Sequence, residues 1–220
     1  MIFLDIETLP TNDDTVIAAL SKKITAPSTH RKQETIDKWM EENKDQALRD
    51  LIAKTSFDGM YGRIACIAWA CDDGDIYSTD ANDDELDVIT KFYDHITFSS
   101  VDSRFCGHNL HGFDLPFLKH RSVILGIKPP TELIKAMRAR QWDDCVFDTM
   151  LMWSPERDKR VSMDSLCNAL GINGKGDFNG SMVAETWQKD PQKVVDYCKD
   201  DVARTREIYK RLTFTDKSNA

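Results

Sequence analysis

Nine consecutive residues, Arg63-Ile64-Ala65-Cys66-Ile67-Ala68-Trp69-Ala70-Cys71, carry no charge after the first. A run of that length, bounded by turn residues, reads as a buried strand, and a buried strand needs other layers to cover it. Asp72-Asp73-Gly74-Asp75 is a hairpin turn into Ile76-Tyr77-Ser78-Thr79. Residues 2–7 form a second apolar strand that closes in acids, before Pro10 and Thr11-Asn12-Asp13-Asp14 break it. A helix is expected from Glu85 to His95, with Leu86, Ile89, Phe92 and Tyr93 on its apolar face. Phe105 to His108 and Val146-Phe147 read as short strands, with Pro116 and Gly126 bounding a helical segment between them. Met163 to Leu170 is a helix stopped by Gly171. The last helix has Asp190 as N-cap and Pro191 in its first turn, and Val194, Cys198, Val202, Thr205, Tyr209 and Leu212 repeat at helical spacing. Strands first, then mixed strand–helix units, point to an α/β layered domain.

The 220 residues suit one large core, expected as a single domain over 1–212 with a tail at 213–220. Residues 13–56 read as helical and charged, with Ile17, Leu20, Ile36, Trp39, Met40, Leu48, Leu51 and Ile52 at scattered helical spacings. That is long for a link between adjacent strands, so a helical insertion is expected there. It is amphipathic and needs something to cover it: a second copy, a partner protein or the chain's own cleft. No apolar run approaches a membrane span, and an acid at position 5 comes too soon for a secretory signal. The cytoplasm is the expected compartment.

The net charge of −8 argues against a sequence-indifferent clamp on duplex nucleic acid. Charge is unevenly spread, however. Residues 72–102 hold ten acids and only Lys91 as a base, whereas 115–142 hold six bases (Lys119, Arg121, Lys128, Lys135, Arg138, Arg140) against Glu132. The basic stretch reads as either a track for a polyanion or a solvated helix face. The six cysteines lack metal-finger spacing and sit among apolar neighbours, as small reduced core residues do. The five tryptophans form no spaced aromatic box and read mostly as core or interface anchors, with Trp39 a candidate for stacking on a single strand.

Asp5-Ile6-Glu7 ends the first strand. Residues i and i+2 of a strand share a face, so both carboxylates converge, and a divalent cation relieves their repulsion. With 28 aspartates and nine glutamates, one D-x-E is expected by chance. A second copy at Asp83 and Glu85 lies in the acidic run and reads as a solvated helix start. The first copy is distinguished by its place, at the end of an apolar strand where α/β folds put their sites. Asn109-Leu-His-Gly-Phe113-Asp114 follows another short strand and leads into Leu115-Pro116-Phe117-Leu118; Asp114 is expected at a helix start, with a plain N-cap as its alternative role. Tyr197 and Asp201 lie one turn apart on the last helix and share a face.

In this order the three motifs resemble those of the DEDDy branch of DnaQ-like 3′–5′ exonucleases, and most of all the stand-alone bacterial and phage polymerase-B-like predicted exonucleases. The sister branch has histidine in H-x-x-x-x-D where Tyr197 stands, and no histidine here lies beyond His120. The family's first motif usually follows a short leader, whereas here the strand begins at Met1, and the 13–56 segment has no matching motif. No polymerase region follows, so a nuclease working alone or in trans is expected. The resemblance implies a ribonuclease H-like exonuclease fold: a mixed central β-sheet flanked by helices, with the helical insertion after the first strand.

It further implies that Asp5, Glu7, Asp114 and Asp201 hold two Mg²⁺ or Mn²⁺ ions and that Tyr197 orients the attacking water. Thr8, Leu9, Asn109 and Phe113 then contact the terminal nucleotides, although Phe113 serves equally as core packing. Asp148 reads as a turn residue rather than an acid backing the site, and Lys175 as a surface lysine rather than a phosphate contact. The implied substrate is the 3′ end of single-stranded DNA, hydrolysed to nucleoside 5′-monophosphates. RNA is the alternative within the same chemistry, because ribonuclease D-like enzymes share the acids and the tyrosine. A non-catalytic nucleic-acid-binding or scaffold domain is the alternative outside it.

Overall fold

A computed structural model describes residues 1–98, 104–155, 160–174, 176 and 178–215. Five strands, β1 (Ile2–Leu9), β2 (Arg63–Cys71), β3 (Ile76–Ser78), β4 (Phe105–Gly107) and β5 (Val146–Asp148), form one sheet in the order β3-β2-β1-β4-β5. β1 is central, antiparallel to β2 and parallel to β4, which is parallel to β5. The hairpin to β3 makes the second antiparallel pair. The sheet is therefore mixed and helix-flanked, as the motifs implied. The register slips between Glu7 and Thr8, where Glu7 faces Cys66 but Thr8 faces Ile64. A bulge of this kind bends a strand and re-aims the residues that follow.

Alternation along β1 sorts the molecule into two cores. Ile2, Leu4 and Ile6 pack with helices α3 (Glu85–Phe98) and α4 (Asp114–Leu125). Met1, Phe3 and Leu9 pack with α8 (Val183–Lys189) and α9 (Pro191–Leu212). β2 is asymmetric in the same sense. It turns Ile67 and Trp69 to the first core but only small residues, Ala65, Cys66, Ala68 and Ala70, to the second. Without bulk on that side, α9 packs directly across β1 and β2. Helix α7 (Met163–Leu170) buries Met163, Leu166 and Cys167 against Ile208, near the end of α9.

Residues 13–56 are helical as expected, but in two pieces, α1 (Asp14–Ser21) and α2 (Gln33–Lys54), separated by an irregular stretch containing Pro27. The side chain of Asp13 caps α1 through the amides of Thr15 and Val16. No residue of α2 is buried; Ile36, Trp39, Met40, Leu48, Leu51 and Ile52 are half-buried. The segment returns to β1 through a 3₁₀ turn at Thr55–Phe57, where the Thr55 hydroxyl accepts from the Thr11 amide at 2.8 Å.

Several expectations are corrected. Leu86 is 48% exposed, because the buried face of α3 runs through Glu85, Val88, Ile89, Phe92 and Ile96 and leaves Leu86 at its edge. Glu85 is not solvated: Arg121 donates to both its oxygens at 2.8 Å, and the Ile64 amide donates at 2.7 Å. The same pairing takes Arg121 out of any basic track, and Lys135 is paired with Glu132. Four of the six cysteines are buried. Of the tryptophans only Trp69 is buried, while Trp142 and Trp153 stand exposed. Lys175 lies outside the described residues. Among the described residues no helix is long and apolar enough to cross a membrane.

Candidate active site

Asp5 and Glu7 occupy alternate positions of β1 and so share its α9-facing side with Phe3. Opposite them, α9 is placed by its own start. Asp190 accepts from the Lys193 amide, and Pro191 takes the first position, where no amide donor is missed. The helix then turns Val194, Tyr197, Cys198, Asp201, Val202 and Thr205 inward. Carboxylate oxygens of Asp5, Glu7 and Asp201 all lie within 4.8 Å of one another. Asp201 is 3% exposed.

Asp114 joins from α4. It is not an N-cap: it is the first residue of the helix, and its Oδ1 accepts from the amide of Ile6 at 3.2 Å, between Asp5 and Glu7 in sequence. It stands beside the three-acid cluster rather than in it. Burial first, and then the charge of Asp5, push its carboxyl well above the usual carboxylate range. A buried carboxyl beside another carboxylate either keeps its proton or needs a cation.

The remaining groups fix these acids in place. The thiol of Cys198 donates to Asp5 at its carbonyl (3.3 Å) and its Oδ2 (3.4 Å). Burial, Cys66, and the charges of Asp5 and Glu7 hold that thiol well above its ordinary pKa, so it stays a donor. Arg204 donates to Asp201 at 2.8 Å and to the Asn173 carbonyl at 3.3 Å. Tyr197, 7% exposed, packs its ring 4.6 Å from that of Phe178. Burial raises its hydroxyl pKa, and the charges of Asp201, Glu7 and Asp5 raise it further, with a hydrogen bond to Asp201 acting in the same direction.

The loop between β4 and α4 is built around Asp148, the last residue of β5. Its carboxylate accepts from the amides of Asn109 (2.9 Å) and His111 (3.0 Å) and from Met150 at the start of α6 (Thr149–Trp153). It is both a turn residue and the acid that shapes the loop. Asn109 sits at φ 65°, a left-handed conformation that asparagine tolerates. A Cβ on Gly112 would fall 2.4 Å from the Asn109 Oδ1, so only glycine lets that side chain lie where it does. Phe113 is half-buried, with its ring 5.5 Å from that of Phe117.

Thr8 lines a cleft of about 370 Å³ with Lys54, Ser56, Phe57 and Ser181, and its hydroxyl donates to the Ser56 carbonyl at 2.7 Å. Leu9 is turned into the core, 2% exposed. The structure thus gathers Asp5, Glu7 and Asp201, sets Asp114 and Tyr197 against them, and places Thr8 near the end of β1 and Asn109 and Phe113 on the turn before α4. Sequence reading did not single out Arg204 or Cys198. Arg204 has a signal, a base three residues after Asp201 on one helix face; Cys198 has none, because its role depends on where β1 packs.

A search of curated proteins finds no match. By structure the chain is similar to the family B DNA polymerase from the hyperthermophilic archaeon Pyrobaculum calidifontis, with a TM-score of 0.57 at 18% identity. The similarity covers 96% of this chain and 24% of the polymerase, so the chain spans about a quarter of that protein. It extends to the fold, the ribonuclease H-like fold of the polymerase's exonuclease domain. A family model described as a predicted 3′–5′ exonuclease related to the exonuclease domain of PolB matches residues 60–218. That match takes in Asp114, Tyr197 and Asp201 and begins after the 13–56 segment and after Asp5 and Glu7, the two acids that the fold brings beside Asp201. With most of its length under that model, the chain belongs to the family of predicted 3′–5′ exonucleases related to the exonuclease domain of family B DNA polymerases.

Proposed function

We propose that the chain is a metal-dependent exonuclease that removes nucleoside 5′-monophosphates from the 3′ end of single-stranded DNA. The observation that carries this reading is the convergence of Asp5, Glu7 and Asp201 within 4.8 Å, with the buried Asp114 beside them. The donor set fits a divalent cation: all the groups are carboxylates, hard oxygen ligands of the kind Mg²⁺ and Mn²⁺ take. Burial, and then the charge of Asp5, disfavour the ionised form of Asp114, and a bound cation would offset both. Asp5, Glu7 and Asp201 would hold one ion, and Asp114 with Asp5 a second. Bound there, such ions activate a water and neutralise charge on the departing 3′-oxygen.

The chain's own groups supply the order. Tyr197 stays protonated throughout the neutral range, so it is no base; its hydroxyl, tied to Asp201, orients the attacking water. Arg204 and Cys198 hold Asp201 and Asp5 in fixed positions, which keeps the acids from splaying under mutual repulsion. Asn109 and Phe113, set by Asp148 and Gly112, flank the last nucleotides, Phe113 by stacking. Water attacks phosphorus, the P–O3′ bond breaks, and the shortened strand keeps a 3′-hydroxyl.

The test is a 5′-labelled single-stranded DNA oligonucleotide and its RNA twin, incubated with Mg²⁺, Mn²⁺ or EDTA, beside Asp5→Ala and Asp201→Ala proteins. The expected result is a DNA ladder shortening from the 3′ end, lost in EDTA and in both variants. Shortening of RNA alone transfers the reading to an exoribonuclease. Intact strands in every lane overturn it in favour of a binding or scaffold domain.

A further inference from the structure

A cleft of about 500 Å³, large enough for a nucleotide, opens beside the Asn109 loop. One wall is the loop itself, Asn109, His111 and Gly112; the other is the stretch between α5 (Thr131–Ala136) and β5, with Arg140, Gln141 and Trp142. Arg160 enters from a third segment. Trp142 is 74% exposed, and the Arg140 guanidinium lies over its ring, 5.9 Å from the centroid. An indole left open to solvent contributes little to folding but offers a flat surface to a base. Two acids beside the cleft are engaged by backbone amides. Asp148 is occupied by the loop amides, and the Asp143 carboxylate accepts from the Arg140 backbone amide at 2.7 Å. Two guanidinium groups are thus left for phosphate, and Arg matches phosphate oxygens with paired donors. His111 lines the same cleft with both ring nitrogens buried, its Nδ1 3.8 Å from an oxygen of Asp148.

We infer that this cleft holds the third or fourth nucleotide from the 3′ end, with its base stacked on Trp142 and its phosphates on Arg140 and Arg160. This rests on the nuclease reading, in which Asn109 and Phe113 take the last two nucleotides; Asn109 also lines this cleft, which continues the path of the strand. It gives the enzyme a grip on an extended single strand away from the carboxylates, where a chain of net charge −8 needs one. A base stacked on an indole is unpaired, so the cleft also selects for single strands.

Photocrosslinking tests the placement in EDTA, where hydrolysis plays no part. 5-Iodouracil is set singly at each of the first five positions from the 3′ end of an oligothymidylate, and the attachment site is read by mass spectrometry. Attachment to the Trp142 peptide is expected from positions three or four and not from one or two. Alongside, Trp142→Ala should weaken binding of a ten-residue strand about tenfold with no change in Tm. Arg160→Ala should flatten the salt dependence by roughly 0.7 in log Kd against log salt. Attachment elsewhere, attachment regardless of position, or an unchanged Kd in Trp142→Ala overturns the subsite while 3′ shortening of DNA still upholds the nuclease. Loss of 3′ shortening together with absence of crosslinks overturns both.

Discussion

The chain carries two copies of the same short pattern, Asp5-Ile6-Glu7 and Asp83-Asp84-Glu85, and the fold treats them oppositely. At the second copy each outer acid has a cation of its own. Asp83 pairs with Lys91, and Glu85 takes a two-pronged grip from Arg121. At the first copy the fold brings up more acids, Asp201 from α9, which carries Arg204 as its ion-pair partner, and Asp114 from α4, so the acids outnumber that base. The spacing is identical, so spacing carries none of the difference; the company does. A carboxylate paired within the chain is structure, whereas carboxylates gathered on one another leave a charge deficit for something outside the chain to fill.

Conservative substitutions at corresponding positions separate the two roles most sharply. Glu7→Gln should reduce hydrolysis by at least about 10³-fold, some 4 kcal/mol of transition-state stabilisation, and leave Tm unchanged or higher. Glu85→Gln should do the reverse. It leaves the Arg121 guanidinium buried with its partner's negative charge gone, at a cost of about 3–5 kcal/mol. In a chain of this size that lowers Tm by roughly 10 °C, with hydrolysis per folded molecule unaltered. Thermal melts and initial rates on the same preparations decide it. If both variants lose Tm and keep activity, the two copies are alike and the comparison collapses.

The next effect is smaller and concerns Asp114. Its carboxyl titrates well above the ordinary 3.8, so the folded protein keeps a proton that the unfolded chain releases. Its contribution to stability is therefore full below pH 3.8 and is lost as pH rises through the raised value. At neutral pH without metal the residue destabilises the fold. Asp114→Asn should raise the melting temperature in EDTA, by roughly 2–4 °C for each kcal/mol relieved. Added Mg²⁺ or Mn²⁺ should raise the wild-type Tm and do less to the variant. A variant that melts lower than wild type in EDTA at pH 7 would show that the carboxylate is already compensated.

How much of this was legible in the sequence follows from the range of the interactions involved. The ends of α9 and α7 were readable because Asp190, Pro191 and Gly171 act on neighbouring backbone groups. The buried β2 was readable because its composition alone excludes a solvated conformation. The acids at 5, 114 and 201 could be picked out only as an ordered set, since a lone D-x-E occurs by chance and indeed recurs at 83. What could not be read was pairing across distance. Nothing near Glu85 in sequence announces Arg121, 36 residues on, and nothing near Cys198 announces Asp5. The same blindness left the 115–142 bases open as a track or a solvated face, whereas the fold spends Arg121 on Glu85 and leaves Arg140 beside Trp142.

The smallest test asks whether α3, the helix that carries Glu85, is as self-sufficient as its ion pair suggests. Tyr93 sits on its buried face, with its hydroxyl 2.6 Å from the Ser122 hydroxyl on α4. Burial pushes its pKa up from 10 to about 12, and the bond to Ser122 opposes the shift. No carboxylate contributes, unlike at Tyr197, where three do. The folded state thus holds the phenolic proton after the unfolded chain has lost it. Tyr93's stabilising contribution is complete below pH 10 and falls as pH climbs toward 12, by about 2–3 kcal/mol at most. Tyr93→Phe should remove that slope while losing about 1 kcal/mol at pH 8 for the hydrogen bond. Ser122 is not stranded by the change, because its hydroxyl also reaches the Leu118 carbonyl at 2.6 Å. The difference between wild-type and variant urea stabilities, followed from pH 8 to 11, cancels every other tyrosine and lysine. A difference that stays flat across that range would mean Tyr93 ionises as freely in the fold as in the open chain, and the helix interior is wetter than its packing indicates.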